Sequence, residues 1–225
     1  MQTHSISAKL KWYGLGAVLL FAGLQWHVGL FAPADLELLD TQFNLLRRVL
    51  PAAAPEIVVV GIDDTTMART PEPMALWHPH LGRAIAGIAR AGPLALGVDV
   101  ILPDRSYDAL VAGYDRLLLR GIIEARRNAP TVFGLTIGKT GAPRPVFPPF
   151  LSAAGADGSG YALWRLDSDG SVRRFDERLD VNGEAVETLS GQMARRLNRV
   201  PGHGLIDYSR GAAFDYIPFH DVLDW

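Results

Sequence analysis

Hydrophobic positions fall into three patterns along this chain. From Trp12 to Phe31 apolar residues run on with no charge among them. As a helix these twenty residues reach about 30 Å, the thickness of a bilayer's hydrocarbon core. Trp12, Tyr13 and Trp26 suit the two interfaces, and Lys9 and Lys11 precede the run with none just after it. That asymmetry places the N-terminus in the cytoplasm and the remainder outside. The expectation is a cytoplasmic tail over 1–11, a transmembrane helix over 12–31 and an extracytoplasmic domain over 35–225. Two rival readings exist. Leu15–Leu24 would serve as the apolar region of a signal peptide, with Ala32-Pro33-Ala34 as its cleavage site. The run would also suit a buried helix.

The second pattern has helical period. Leu36, Leu39, Phe43, Leu46 and Leu50 make one stripe in a helix over Asp35–Leu50, with Asp35 as N-cap. The stripe would pack on the chain's own sheet or pair with a second copy as a coiled coil. Further helices are predicted over Pro79–Ala91, stopped by Gly92-Pro93, over Tyr114–Asn128 and over Glu184–Asn198.

The third pattern is short apolar runs. Ile57–Ile62 is β-branched and unbroken but for Gly61, as in a strand buried on both faces. Leu94–Val100 and Thr131–Ile137 repeat the type. With the helix between them, the first two runs predict a βαβ unit with parallel strands. Tyr161–Leu166 and Val172–Val181 alternate instead, and Asp167-Ser168-Asp169-Gly170 between them predicts a hairpin turn. Leu205–Tyr208 and Ala213–Ile217 read as short strands. The chain stops as a helix begins at Asp221–Trp225, so a closing strand beyond it is expected. The fold class is α/β: an N-terminal transmembrane helix, then a central, mostly parallel sheet flanked by helices, with an added β-hairpin.

Composition narrows the chemistry. The 225 residues are 48% hydrophobic, enough for one sizeable core. A net charge of −2 argues against nucleic acid as a partner. The absence of cysteine removes disulfides, thiolate metal sites and thiol nucleophiles. The six histidines lack metal-ligand spacing, and no cofactor-binding glycine loop or nucleophile elbow is present.

Carboxylates mark the predicted strand ends. Asp63 and Asp64 stop the first run and Asp99 the second, with Asp104 in the loop that follows. In open α/β sheets that edge holds ligands. Asp63, Asp64, Trp77, Asp99 and Asp104 are therefore the candidate ligand-binding residues. The plainer reading makes the aspartates turn formers, caps or hydrogen-bonded strand ends. Asp167, Asp169 and Gly170 suggest the start of a calcium loop, but its remaining ligands are not in place. Arg173 and Arg174 beside them read as a surface pair of small value.

The order of these motifs resembles the second CHASE family, extracellular sensing domains attached to bacterial cyclases, histidine kinases and related receptors. The resemblance is carried by the Asp40…Arg47 helix, Ile57-Val-Val-Val-Gly-Ile-Asp-Asp64, the helix to Gly92, Gly97-Val-Asp99-Val-Ile-Leu102 and Asp115. It continues through Asp167-Ser-Asp-Gly170-Ser-Val-Arg173-Arg174, Ile206-Asp207-Tyr208, Phe214 and Asp221-Val-Leu223. It covers roughly residues 35–225. The family's tryptophan-proline segment survives only in part, as Ala75-Leu-Trp-His-Pro-His80, and its Ile-Asn-Tyr reads Ile206-Asp207-Tyr208. The resemblance implies a sensory domain in the periplasm, held at the bacterial inner membrane, that binds a small or environmental stimulus. It would act as a homodimer and pass the signal to a cyclase, kinase or diguanylate cyclase outside this chain.

Two other functions compete. Asp63, Asp64 and Asp99 at one rim would hold magnesium in a phosphohydrolase, although no general base or phosphate cradle accompanies them. A dimerising scaffold would need only the two N-terminal helices.

Overall fold

The computed structural model describes residues 12–23, 32–52, 56–181, 183–211 and 214–225. The chain divides into two compact units. One comprises Met1–Ala53 with Asp207–Gly211, the other Ala54–Ile206 with Ala212–Trp225.

In the first unit, residues 12–23 are helical and all exposed. Residues 24–31, the second half of the expected membrane span, lie outside the described residues. Among the described residues no helix is long and apolar enough to cross a membrane. Helix α1 spans Ala32–Arg47. It starts three residues before the expected cap, so Asp35 sits inside the first turn, where its charge complements the helix dipole. Leu36, Leu39 and Phe43 are half-buried, while Leu46 and Leu50 are exposed. Within this unit the stripe has one facing element among the described residues. Its partner is the 3₁₀ turn Tyr208–Arg210. Phe43 packs edge-on to Tyr208 with ring centroids 6.0 Å apart. Arg47 donates from Nε (2.9 Å) and Nη2 (2.6 Å) to the Tyr208 carbonyl. Asp207 caps the turn by accepting the Ser209 N–H at 3.1 Å.

The second unit holds the sheets. Strand β1 (Val58–Gly61) runs parallel to β9 (Asp215–Pro218), with Val59 opposite Tyr216. Strands β2 (Leu96–Val98), β3 (Thr131–Leu135) and β4 (Ser159–Tyr161) form a separate parallel sheet in that order. This corrects the expected pairing of the first two strands. β1 takes its partner from the end of the chain, and the βαβ unit joins β2 to β3 instead. It also corrects the burial. Ile57, Val58 and Val59 are exposed, and among the described residues β1 has one strand neighbour. β3 is the strand buried on both faces.

Helix α2 is Asp64–Arg69, α3 His78–Arg90, α4 Tyr114–Asn128 and α5 Pro148–Ala154. α3 and α4 pack against one another on the core of Trp77, Leu81, Ile85, Leu118, Ile122, Phe133 and Phe150. Two glycines allow their close approach. A Cβ on Gly121 would lie 2.2 Å from the Gly82 carbonyl oxygen, and one on Gly82 would lie 2.7 Å from the Leu117 carbonyl oxygen.

The expected hairpin across Asp167–Gly170 does not form. β5 (Arg174–Asp176) pairs antiparallel with β8 (His203–Leu205), and β4 pairs with β3. A hairpin forms later, between β6 (Arg178–Val181) and β7 (Glu184–Glu187). Gly183 supplies the positive φ, 86°, in its turn. The helix expected over Glu184–Asn198 is α6, Leu189–Arg196. Thr188 caps it by accepting the Gly191 N–H at 3.2 Å. Residues before that cap are left to the strand.

Candidate functional site

The carboxyl edge of β1 carries a polar cluster built from the two ends of the second unit. β1 ends at Gly61, and two residues later Asp63 becomes the N-cap of α2. Its Oδ1 accepts the Thr66 N–H at 2.7 Å and the Thr66 hydroxyl at 2.8 Å. Thr66, wholly buried, places Oγ1 2.9 Å from His220 Nδ1. His220 lies in the 3₁₀ segment Phe219–Asp224 that follows β9. Its Nδ1 is 4.0 Å from Asp63 Oδ1 and its Nε2 3.4 Å from Asp221 Oδ1. One imidazole thus bridges a hydroxyl and two carboxylates. The Thr66 hydrogen bonds hold the Asp63 carboxyl below the usual range, helped by His220 and Tyr216. Burial, then the neighbouring Asp63 charge, pushes the Tyr216 phenol up.

The sequence-derived residues divide sharply. Asp63 is spent on the cap and on Thr66. Asp64, in the first turn of α2, and Asp99, just past β2, are exposed, with no hydrogen bond or ion pair among the described residues. Asp104 pairs with Arg105, Oδ1 to Nε at 3.0 Å and Oδ2 to Nη2 at 3.3 Å. Arg105 holds that carboxyl below its usual range, and Arg144 adds to the effect. Trp77 is fully buried, donates from Nε1 to the Glu72 carbonyl at 2.8 Å and stacks on Phe219 with centroids 5.8 Å apart. It fixes the segment that bears His220. Among the described residues no three His, Cys, Asp or Glu gather to hold a metal. The magnesium reading of Asp63, Asp64 and Asp99 has no such cluster to rest on.

A second polar group lies at the loop after β2. His78, the first residue of α3, is 1% exposed, and its Nδ1 is 3.3 Å from Asp115 Oδ1 in the first turn of α4. Asp115 Oδ1 accepts the Tyr107 N–H at 3.1 Å, and the Asp115 N–H donates to Asp108 Oδ1 at 2.9 Å. Burial holds the imidazole's pKa down despite the adjacent carboxylate.

The Asp167–Gly170 turn is structural. Gly170 takes φ 81°, and Asp167 N–H donates to the Ser171 carbonyl at 2.9 Å. Arg173 is only 4% exposed. Its Nη1 reaches Asp167 Oδ2 at 3.3 Å and Asp169 Oδ1 at 2.9 Å, and its Nη2 reaches Asp169 Oδ2 at 2.7 Å. Arg174 Nη1 adds a contact to Asp167 Oδ1 at 3.3 Å. This corrects the surface-pair expectation for Arg173. The carboxylates that a calcium ion would need face guanidinium groups.

Thr66, His78, Asp115, Tyr216 and His220 carry no site motif in the sequence. Asp63-x-x-Thr66 is a local capping pattern and was open to reading. His220 gives no signal, since two of its partners, Asp63 and Thr66, lie 154 residues or more earlier in the chain.

The family model described as CHASE2 domain matches residues 16–224. No curated protein and no solved structure gives a match.

Proposed function

We propose a signal-input role, on the premise that this chain belongs to the CHASE2 domain family, a family of extracellular sensory domains. The observation that carries this reading is the extent of the match, from within the leading apolar helix to the penultimate residue. The chain binds a small or environmental stimulus in the periplasm and passes its occupancy to an output domain not contained in it. Residues 12–31 anchor it in the bacterial inner membrane. The uncharged, exposed helical run 12–23 supports that placement.

The stimulus meets the loop after β2, where Asp99 stands exposed and uncommitted and the Asp104–Arg105 pair offers both charges; Asp64, exposed after β1 in a different sheet, is a separate candidate. Signal leaves through chain continuity. β9, which leads to His220, follows the 207–211 turn, and that turn holds Arg47 near the end of α1. A second copy completes the signalling unit. Leu38, Leu45 and Val49 are exposed on α1 and its final turn at heptad spacing, the pattern of a two-chain seam.

The test is a thermal-shift screen of the purified chain against metabolites and ions. A ligand at a hundred times its dissociation constant raises stability by about 2.7 kcal/mol. The reading expects a ligand whose shift is lost in Asp99→Asn. Magnesium-dependent phosphate release that is lost in Asp63→Asn would instead establish the phosphohydrolase.

A further inference from the structure

His78 holds a buried position that favours a neutral ring over a charged one, although Asp115 and Asp108 act the other way. Neither of its ring nitrogens has a hydrogen-bond partner of acceptable geometry among the described residues. Three rings enclose it: Tyr107 edge-on at 5.0 Å, Phe150 edge-on at 5.7 Å and Tyr114 at 6.4 Å. The first turn of α3, where it sits, is the positive end of the helix dipole and opposes a further positive charge.

The groups facing it come from three elements. The loop after β2 brings Tyr107 and the charge of Asp108, α4 brings Tyr114 and Asp115, and α5 brings only Phe150. Asp115 is the nearest carboxylate, at 3.3 Å, but its oxygen is already aligned on the Tyr107 N–H. A charged ring would compete with the Tyr107 N–H for that same Oδ1. Tyr107 belongs to the same loop as Asp104 and Arg105 at the rim.

We propose that His78 is a proton-sensitive latch: uncharged, it lets the Tyr107 loop close over it, and charged, it frees that loop from the N-termini of α3 and α4. The ligand class is the proton. Burial in the closed form disfavours the charged ring, so a proton binds more readily once the loop has opened. Acidification of the surrounding medium then loosens the rim that carries the candidate stimulus site. Use of the latch as a signal rests on the sensory reading; the latch itself does not.

The experiment is backbone amide exchange on the full chain between about pH 7.5 and 5, expressed as protection factors for residues 105–115. In the unaltered protein protection falls as pH drops below the ordinary histidine value of 6.5, by up to tenfold per pH unit, the limit for one proton. In His78→Phe that dependence disappears. Protection that is flat with pH in the unaltered protein, or a dependence that survives in His78→Phe, overturns the proposal. Should His78→Phe fail to fold, the imidazole resonances of the unaltered protein decide. The latch requires His78 to titrate below 6.5 in step with the Tyr107 amide. Titration at or above that value, or an indifferent Tyr107, overturns it. A ligand response that is absent while this pH profile holds sinks the sensory reading alone, and the converse result sinks the latch alone.

Discussion

Gly121 of α4 lies against Gly82 of α3 so closely that a Cβ on the first would fall 2.2 Å from the carbonyl oxygen of the second. The carbonyl belongs to one helix backbone and a Cβ would be fixed to the other, so neither yields without moving its helix. The approach matters because each helix starts with a polar residue that faces the other. His78 is one turn before Gly82, and Asp115 opens the first turn of α4. Gly121→Ala is expected to destabilise by about 1–3 kcal/mol, the range for overpacking a tight contact. The urea midpoint measures it, and an unchanged midpoint would refute the account of this helix pair.

Arg173 makes the second prediction. It is buried with two carboxylates on it, so Arg173→Ala leaves the nearly buried Asp167 to Arg174 alone and Asp169 without its guanidinium. The expected cost is on the order of 1.5–3 kcal/mol, the worth of hydrogen bonds to charged groups. The same pairing gives a pH signature. Asp169 is held well below the ordinary carboxylate value of 3.8, first by Arg173 and then by the Ser171 N–H. A depressed carboxyl contributes stability above its unfolded value and loses it as pH falls through the folded one. Denaturation below about pH 4 should therefore steepen in the unaltered protein and flatten in Arg173→Ala.

Thr66→Val keeps the shape and removes one hydroxyl from full burial. It leaves His220 Nδ1 without its nearest partner, at an expected cost of about 1–2 kcal/mol. Asp63 should move only part of the way back toward 3.8, because the residue-66 N–H, its largest stabiliser, remains. Carboxyl resonances followed through an acid titration check both parts. No movement of Asp63 would show that the hydroxyl plays no part.

Asp99 and Asp63 should behave as opposites. Asp99 has no partner to lose, so Asp99→Asn is expected to change stability by less than about 0.5 kcal/mol. Asp63→Ala removes a cap and should cost about 1 kcal/mol. Paired melts of the two variants test the division of the candidate aspartates into structural and available ones.

Local signals were legible in the sequence, and distant ones were not. Thr131–Ile137 gave β3 because a fully buried strand needs an unbroken apolar run. Tyr114–Asn128 gave α4 because its period and its ends agree. Asp63 was readable as a cap from Asp and Thr three residues apart. The partner of β1 was not readable, since Val58–Gly61 would suit any parallel neighbour, and the one it takes comes from the chain's last residues. Val186, Leu189, Met193 and Leu197 have helical spacing, yet the Thr188 cap and the Glu184–Glu187 ladder to β6 cut that helix short. Arg173 looked like a surface charge because burial is a property of what packs over it. The His78–Asp115 and Thr66–His220 pairs each needed two elements to be brought together first.

The central claim is that residues 35–225 form a sensory domain outside the cytoplasm. Reporter fusions after Trp225 in a Gram-negative host test it most directly. Alkaline phosphatase matures only in the periplasm, and green fluorescent protein exported through the general secretion route stays dark. The account expects an active phosphatase and a dark fluorescent fusion. A fluorescent fusion with an inactive phosphatase would contradict it.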